Sequence, residues 1–425
     1  MSDFVIVPPV RGKRFALEDG VRHFYGARMI SVTEARSIIA NAVAPLAPSR
    51  IPLADAQGRI LRESVTAPGD FPAFDRSAMD GYAVALADES ERFRVVMEVQ
   101  AGVSPERALA NGECARVFTG AKIPDGVSQV LMQENVRREG DWMIPLRRDL
   151  TTHIRRRGED AAAGAVLLEC RVRLRASELA LLAQLGAMHP FVSPAPRVLH
   201  LVTGRELVPP DTEPREGEIR DTNSTMVAAL LAGRGAQIEH QSRCADDLAE
   251  TVARIRSVED AHWDMLLLSG GASVGDYDFG AKTLRELGFT IHFDRLNLRP
   301  GKPLIFATRG AQVAFVLPGN PVSHLVTFHL AVCLAIECLQ AAPPSWPLAD
   351  ATLLEDLPAR SDPRETYWPC EVRSEGGSLC ARPLGWKSSG DLCGLARVNA
   401  LLQTLPASAP LSRDDSAKCL LLDLA

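Results

Sequence analysis

The sequence predicts a multidomain α/β-plus-β protein, in which a parallel-sheet α/β unit sits between two regions of short strands. Three observations lead there. Residues 197–340 alternate apolar strand candidates with helical stretches, the pattern of parallel strands joined by crossover helices. Residues 51–168, and the stretch after Pro343-Pro344, are short β-rich pieces broken by Gly, Pro and Asp turns. Finally, 425 residues at 46% hydrophobic and 24% charged are ordinary globular composition, with room for about three domains.

The elements follow in order. Residues 1–30 carry mixed charge, Pro8-Pro9 and no sustained period, and read as an N-terminal extension. Ser31 with Glu34 three residues on is a helix-start signature ahead of Ile38, Ile39 and Val43. In the β-rich domain, 51–168, the strand candidates are Phe93–Val99, Ala115–Phe118, Val130–Gln133 and Ala165–Leu168. A helix from Ala176 to Leu185 ends at Gly186. In the α/β domain, 196–342, Val198–Val202 runs into Thr203-Gly204, and Met265–Leu268 into Ser269-Gly270-Gly271. Phe315–Leu317 runs into Pro318-Gly319-Asn320, with a helix from about Ser323; another helix, Thr222 to Leu231, is closed by Gly233. Residues 345–425 read as a small β domain.

Composition narrows the function. A net charge of −6 gives no field that favours nucleic acid or an anionic membrane. Only six of the 47 cations are lysines, so positive charge is mostly arginine, which suits bidentate grips on oxyanions. No apolar run approaches the ~18 residues of a membrane span. The opening MSDFVIVPPVRGKR lacks the basic start and long apolar core of a signal peptide. The nine cysteines are scattered without a C-x-x-C pair, as expected of reduced core thiols in a cytoplasmic protein.

Chemistry concentrates at the strand ends. Ligands of open parallel sheets bind at the carboxyl ends of the strands, where glycine admits a close approach and helix N-termini offer N–H groups to an anion. Three such glycine loops in one segment point to a phosphorylated or otherwise anionic ligand. Asp276 and Asp278, just past one loop, either hold a cation such as magnesium against phosphate or favour the next helix N-terminus. Arg295, Arg299 and Lys302 either grip phosphate oxygens or form a solvated basic surface. The run Arg155-Arg156-Arg157-Gly158-Glu159-Asp160 is open in the same way. Asp75 and Asp80 flank a turn at Gly81, and Thr119-Gly120 forms a second loop. Pro300-Gly301-Lys302-Pro303 lacks P-loop spacing, and no G-x-G-x-x-G is present. No nucleophile–histidine or H-E-x-x-H pattern supports covalent or zinc-protease chemistry. His292 and His324 stand alone and read as packing or surface residues.

Taken together, SAMDGYAV at 77–84, FTGAKIPDG at 118–126, Met132-Gln133-Glu134 and RRRGED at 155–160 resemble the MoeA/gephyrin family in order and spacing. So do TGREL at 203–207, IRDTN at 219–223, SGGASVGDYD at 269–278, RPGKP at 299–303 and LPGNPVS at 317–323. The resemblance spans roughly 31–425. It implies a homodimer whose subunits add a segmented dimerising domain, 31–50 and 169–195, to the β-rich, molybdopterin-binding α/β and C-terminal β domains. The implied reaction inserts molybdate into adenylylated molybdopterin, hydrolyses the adenylate and releases AMP, with Mg²⁺ or a similar divalent cation as cofactor. A molybdopterin adenylyltransferase would be the partner that supplies the substrate.

Position by position, Asp80, Thr119, Asp160, Glu206, Asp246 and Asp278 match family positions tied to activity, and Asp247 competes with Asp246. Glu206, Asp246 and Asp278 would hold the metal. Thr203, Gly204, Asp221, Asn223, Ser269, Gly270, Gly271, Ser273, Gly275, Arg295, Arg299, Lys302, Pro318, Gly319, Asn320 and Ser323 would bind substrate and anion. The family assembles this cleft from the β-rich domain of one subunit and the α/β domain of the other. One departure stands out: Arg205 replaces the aspartate of the usual T-G-D-E-L string. Within about 4 Å of the metal, each unit of charge would count for up to about 4 kcal/mol at an effective dielectric near 20, so altered ion or substrate handling is expected. A catalytically impaired scaffold of the same fold and a tungstate-preferring transferase remain as alternatives.

Overall fold

Ser31 caps the first helix, α1 (Val32–Ala42), by accepting from the Glu34 amide at 3.1 Å, and Ile39 and Ala35 turn its apolar side inward. The computed structural model describes residues 29–85, 88–148, 150–270, 277–357, 362–406 and 408–422, with Tyr277 and Asp278 as backbone only. Most of the N-terminal extension, and Gly271, Ser273 and Gly275, therefore lie outside the described residues. Ile30, assigned to the extension, belongs to the fold: it is buried and forms a bridge to Leu296.

The β-rich region forms a six-stranded sheet from β1 (Gly81–Val84), β2 (Phe93–Val99), β3 (Glu113–Val117), β4 (Gln129–Met132), β5 (Val136–Glu139) and β6 (Trp142–Pro145). Their order is β4-β1-β3-β2-β6-β5. Gly81 is required where β1 meets β4, because a Cβ there would stand 2.1 Å from the Leu131 carbonyl oxygen. The candidate at Ala165–Leu168 is a short strand, Val166–Leu168, paired with Val65–Thr66 outside that sheet. Val65, Leu168, Ile51 and Leu61 instead share a core with Leu174, Val192 and Leu182 of α2 (Ala176–Gln184). Packing thus ties both ends of 51–168 to the 169–195 segment. As expected, Gly186 terminates α2, at φ +72°.

The α/β unit runs β7 (Arg197–Thr203), α3 (Asn223–Gly233), β8 (Gln237–Cys244), α4 (Leu248–Ser257), β9 (Met265–Ser269), α5 (Tyr277–Glu286), β10 (Thr290–Arg295), β11 (Pro303–Arg309) and β12 (Gln312–Leu317). The sheet order is β8-β7-β9-β12-β11-β10. The expected parallel strands are β8, β7, β9 and β12, and the sheet is extended by β11, which pairs antiparallel with both β12 and β10. A tight turn at Gly310 replaces a crossover helix there, so β11 and β12 form a hairpin. Leu267, Val198, Val227 and Val326 fill one face of the sheet; Leu266, Leu199, Ile255 and Leu284 fill the other. Phe306 and Phe315, fully buried with ring centroids 5.0 Å apart, are each worth about 1.5–3 kcal/mol of burial. Helix α3 continues through Gly233, and the left-handed turn falls at Gly235 instead.

The helix expected from about Ser323 begins at Pro321, a favoured first helical residue, and continues as α6 (Pro321–Leu339) with a π-helical turn at Phe328–Val332. This corrects the membrane reading. The 19-residue helix α6 contains an 18-residue window of mean hydropathy 1.8, long and apolar enough to cross a bilayer by length and composition, but 89% of that window is buried inside the protein. Cys333 on α6 is buried, and the described cysteines are all free thiols.

After Pro343-Pro344 the chain closes a five-stranded barrel from β13 (Leu348–Leu353), β14 (Glu365–Glu375), β15 (Ser378–Pro383), β16 (Ala400–Thr404) and β17 (Ser416–Leu421). Around the barrel the order is β14-β15-β13-β17-β16, with β16 pairing back to β14. The short strand Leu298–Arg299 adds to β14, docking the barrel onto the α/β unit.

Candidate functional site

The carboxyl ends of the parallel strands open into a cleft of about 1070 Å³. Thr203 and Gly204 reach it from β7, Asp246 from the end of β8, Ser269 and Gly270 from β9, and Pro318, Gly319 and Asn320 from β12. Asp221 and Asn223 at the start of α3, Ser323 on α6, and Arg295, Arg299 and Lys302 complete the expected set, together with Glu206. Asp278 enters only as the second backbone position of α5, and its side chain is not described.

Hydrogen bonds give several of these residues a defined task. Asp221 is 2% exposed, and its carboxylate accepts from the Ser224 amide at 3.0 Å and the Ser224 hydroxyl at 2.5 Å, which fixes the first turn of α3 rather than binding an anion. Asn223 donates to the Gly319 carbonyl at 2.7 Å and ties that turn to the β12 loop. His324 is buried and donates from Nδ1 to the Pro318 carbonyl at 3.1 Å, a packing role as expected; burial lowers its pKa to about 4. Asp247 caps α4 by accepting from the Glu250 amide at 2.8 Å. Asp246 lines the cleft and Asp247 does not. The Thr203 hydroxyl and the Asn223 carbonyl oxygen are buried on the cleft floor without a partner among the described residues. Buried polar atoms rarely stay unsatisfied, so each has capacity left for one further partner.

Charge favours an anion. Arg220, Arg295, Arg299, Lys302, Arg364 and Lys387 line the cleft against the carboxylates of Glu206, Asp221 and Asp246. Arg364, Trp386 and Lys387–Gly390 come from the barrel, and sequence reasoning missed them. Asn320 Nδ2 donates to the Ser389 hydroxyl at 2.9 Å, and the Val322 amide to the Ser389 carbonyl at 3.0 Å, pinning the barrel loop to α6. Asp362 accepts from Arg364 through Nε and Nη2, both at 2.8 Å, and from Arg299 Nη1 at 2.7 Å. These guanidiniums, Arg364 foremost, hold its carboxyl well below the usual carboxylate range. A carboxyl whose pKa falls on folding stabilises above its unfolded value and loses that contribution as acid protonates it. Asp362→Asn should therefore cost about 2 kcal/mol at pH 7, less than for a fully buried pair because both arginines are partly solvated. In denaturant titrations the gap from wild type should narrow as pH falls below about 4. A gap that persists at low pH would refute the charge account.

Arg205 is exposed and does not line the cleft, although Gly204 and Glu206 on either side do. Nothing in its placement supports the altered ion handling expected from sequence.

Asp80, Thr119 and Asp160 form a separate cluster, and no residue of 51–168 lines the cleft of the same chain. Asp80 Oδ1 accepts from the Thr119 amide and hydroxyl, both at 2.8 Å, which lowers its pKa and keeps it an anion. The strand Arg76–Ser77 joins the cluster. It pairs with Ile154–Arg155, and the Ser77 carbonyl accepts from the Gly120 amide at 2.8 Å. Asp160 pairs with Arg155, Arg156 with Asp75 at 2.6 Å and Arg157 with Asp70 at 2.7 Å. The RRRGED run is thus an ion-pair network whose side chains remain partly exposed to solvent. Arg116, also missed, lies against the rings of Tyr82 and Phe118 and donates to Gln133 Oε1 at 2.7 Å beside Asp80.

Metal fit rests on donor chemistry. Glu206 and Asp246 place two hard oxygen ligands on a cation-rich cleft, the set magnesium uses when substrate phosphates complete its shell. Among the described residues no three acidic, histidine or cysteine side chains form a self-sufficient metal cage.

Fold and cleft together define an α/β protein with a cation-lined cleft and a docked β-barrel. Residues 30–186 match the family model of the MoeA N-terminal region (domain I and II), and residues 200–337 that of a probable molybdopterin binding domain. The molybdopterin molybdenumtransferase of Nostoc sp. is 36% identical over 393 residues, 88% of this chain and 89% of that protein. The Bacillus subtilis molybdopterin molybdenumtransferase is 33% identical over 365 residues, 83% of this chain and 84% of its own. The solved structure of a molybdopterin biosynthesis MoeA protein from Pyrococcus horikoshii superposes with TM-score 0.77 at 28% identity, covering 93% of this chain and all of that one. The chain belongs to the MoeA family of molybdopterin molybdenumtransferases.

Proposed function

We propose that this chain is a transferase of molybdenum cofactor biosynthesis, inserting molybdate into adenylylated molybdopterin with hydrolysis of the adenylate and release of AMP. The observation that carries this reading is the cleft itself, where six cations and the Thr203 and Asn223 oxygens, unpartnered among the described residues, surround a space sized for a nucleotide-linked ligand. Arg295, Arg299 and Lys302 bind phosphate and molybdate oxygens, and the glycine loops let the backbone approach them. Mg²⁺, held by Glu206 and Asp246 with Asp278, would neutralise phosphate charge. Asp80, fixed as an anion by Thr119, suits accepting a proton from, or orienting, the attacking water, help typically worth about 10²–10⁴-fold. Asp160 acts beside it. Because this cluster lies outside the cleft of its own chain, the reading includes a homodimer in which a second subunit supplies it. The enzyme works in the cytoplasm, with a molybdopterin adenylyltransferase delivering the substrate.

The test mixes purified protein, adenylylated molybdopterin and Mg²⁺, titrates molybdate and follows AMP. Molybdate-dependent AMP release that stops on chelation is the expected result. Tight binding without release would overturn the transferase reading in favour of a scaffold, and release that prefers tungstate would reassign the oxyanion.

A further inference from the structure

Beneath the cleft, three polar side chains lie in a row on one face of the sheet. Gln241 on β8 is directly paired with His200 on β7, and Ser269 ends β9 next door. Gln241 Nε2 lies 2.8 Å from His200 Nδ1, and His200 Nε2 lies 2.7 Å from the Ser269 hydroxyl. Ser269 forms part of the cleft floor.

Proton positions follow from the partners. Gln241 Nε2 also donates to the Ser224 carbonyl at 3.1 Å, and a carbonyl only accepts, so the amide nitrogen must face this way. Its second hydrogen points at His200 Nδ1, which must then be a bare acceptor. The imidazole carries its one hydrogen on Nε2 and donates it to Ser269. Burial without a carboxylate partner lowers the His200 pKa to about 3, so the ring stays neutral throughout the working range. A hydroxyl that already accepts from histidine has its own hydrogen left to give. Among the described residues nothing accepts it, and Ser269, itself fully buried, is one of the residues that line the cleft.

We propose that His200 is a positioning residue for anion binding: through Nε2–H it commits the Ser269 hydroxyl hydrogen to the oxyanion of the bound ligand. This rests on the transferase reading for the identity of that ligand. An isolated serine rotates its hydrogen among several acceptors, whereas one held by an imidazole presents it ready-made, which lowers the ordering cost of binding.

The experiment measures equilibrium binding of molybdopterin, a phosphorylated pterin, to wild type, His200→Leu, His200→Gln, Ser269→Ala and the double variant His200→Leu/Ser269→Ala. Wild-type AMP release is followed in parallel. His200→Leu and Ser269→Ala should each weaken binding about tenfold, the scale of one hydrogen bond to a charged group. The double variant should bind no worse than Ser269→Ala, since His200 acts through that hydroxyl. His200→Gln, whose amide replaces the Nε2–H donor, should recover most of the affinity. Nitrogen NMR of the wild type should find the His200 hydrogen on Nε2 at neutral pH. Wild-type affinity in His200→Leu, additive losses in the double variant, or a hydrogen on Nδ1 would each overturn the proposal. A wild type that binds molybdopterin but releases no AMP overturns the transferase reading alone; one that binds no molybdopterin overturns both.

Discussion

Co-expressing two inactive variants, Asp80→Asn and Glu206→Gln, should restore about a quarter of wild-type AMP release. Each variant alone should lose at least about a hundredfold, because one removes the anion held by Thr119 and the other a carboxylate of the cleft. Yet the two residues do not share a cleft within one chain: Glu206 lines it and Asp80 does not. In a symmetric dimer with composite sites, about half the molecules carry one variant of each kind. Such a molecule has one site with both lesions and one with neither, which gives the quarter. If both residues served the same subunit's site, every site would be damaged and nothing would recover. Separately purified, unmixed variants provide the zero, and absence of recovery in the mixture would remove the composite site from the reading.

Gly270→Ala should cost about 2–4 kcal/mol of stability and weaken ligand binding by at least about tenfold. Gly270 has φ +102°, a conformation that residues with a Cβ rarely adopt. An added Cβ would also stand 2.5 Å from the Thr203 carbonyl oxygen and 2.9 Å from its hydroxyl. Thr203 cannot retreat, because β7 is hydrogen-bonded on both sides by β8 and β9. The loop after β9 must move instead, and with it the wall of the anion site. Thermal unfolding and ligand titration read the two losses independently. A variant as stable and as tight-binding as wild type would show that the two loops do not approach so closely.

What could be read from sequence was whatever is local. Ser31 and Glu34 announce α1 because a cap and its partner lie within one turn. Gly204, Gly270 and Gly319 announce strand ends because the same residues must both stop a strand and admit a ligand. Long-range features left weaker traces. The β11–β12 hairpin escaped because a buried apolar strand looks the same whichever way it runs. Arg364 and Trp386 reach the cleft because Leu298–Arg299 and the Ser389 contacts dock the barrel there, and no spacing in the sequence encodes that meeting. Sequence also left open which of Asp246 and Asp247 caps α4, a role the structure gives to Asp247. The length of α6 was concealed by His324, His329 and Glu337, which interrupt an otherwise apolar stretch.

That helix has a consequence for how the protein is made. As it leaves the ribosome, α6 is, by length and composition alone, long and apolar enough to cross a membrane. Every strand of the sheet on which it packs lies upstream in the chain, between Arg197 and Leu317. Synthesis from the N-terminus therefore completes the receiving surface before α6 emerges. Only the barrel remains to be added, and it seats against a helix already sheathed. A circular permutant that began at Pro321 would reverse that order, exposing the most bilayer-like stretch of the chain before any partner existed to cover it.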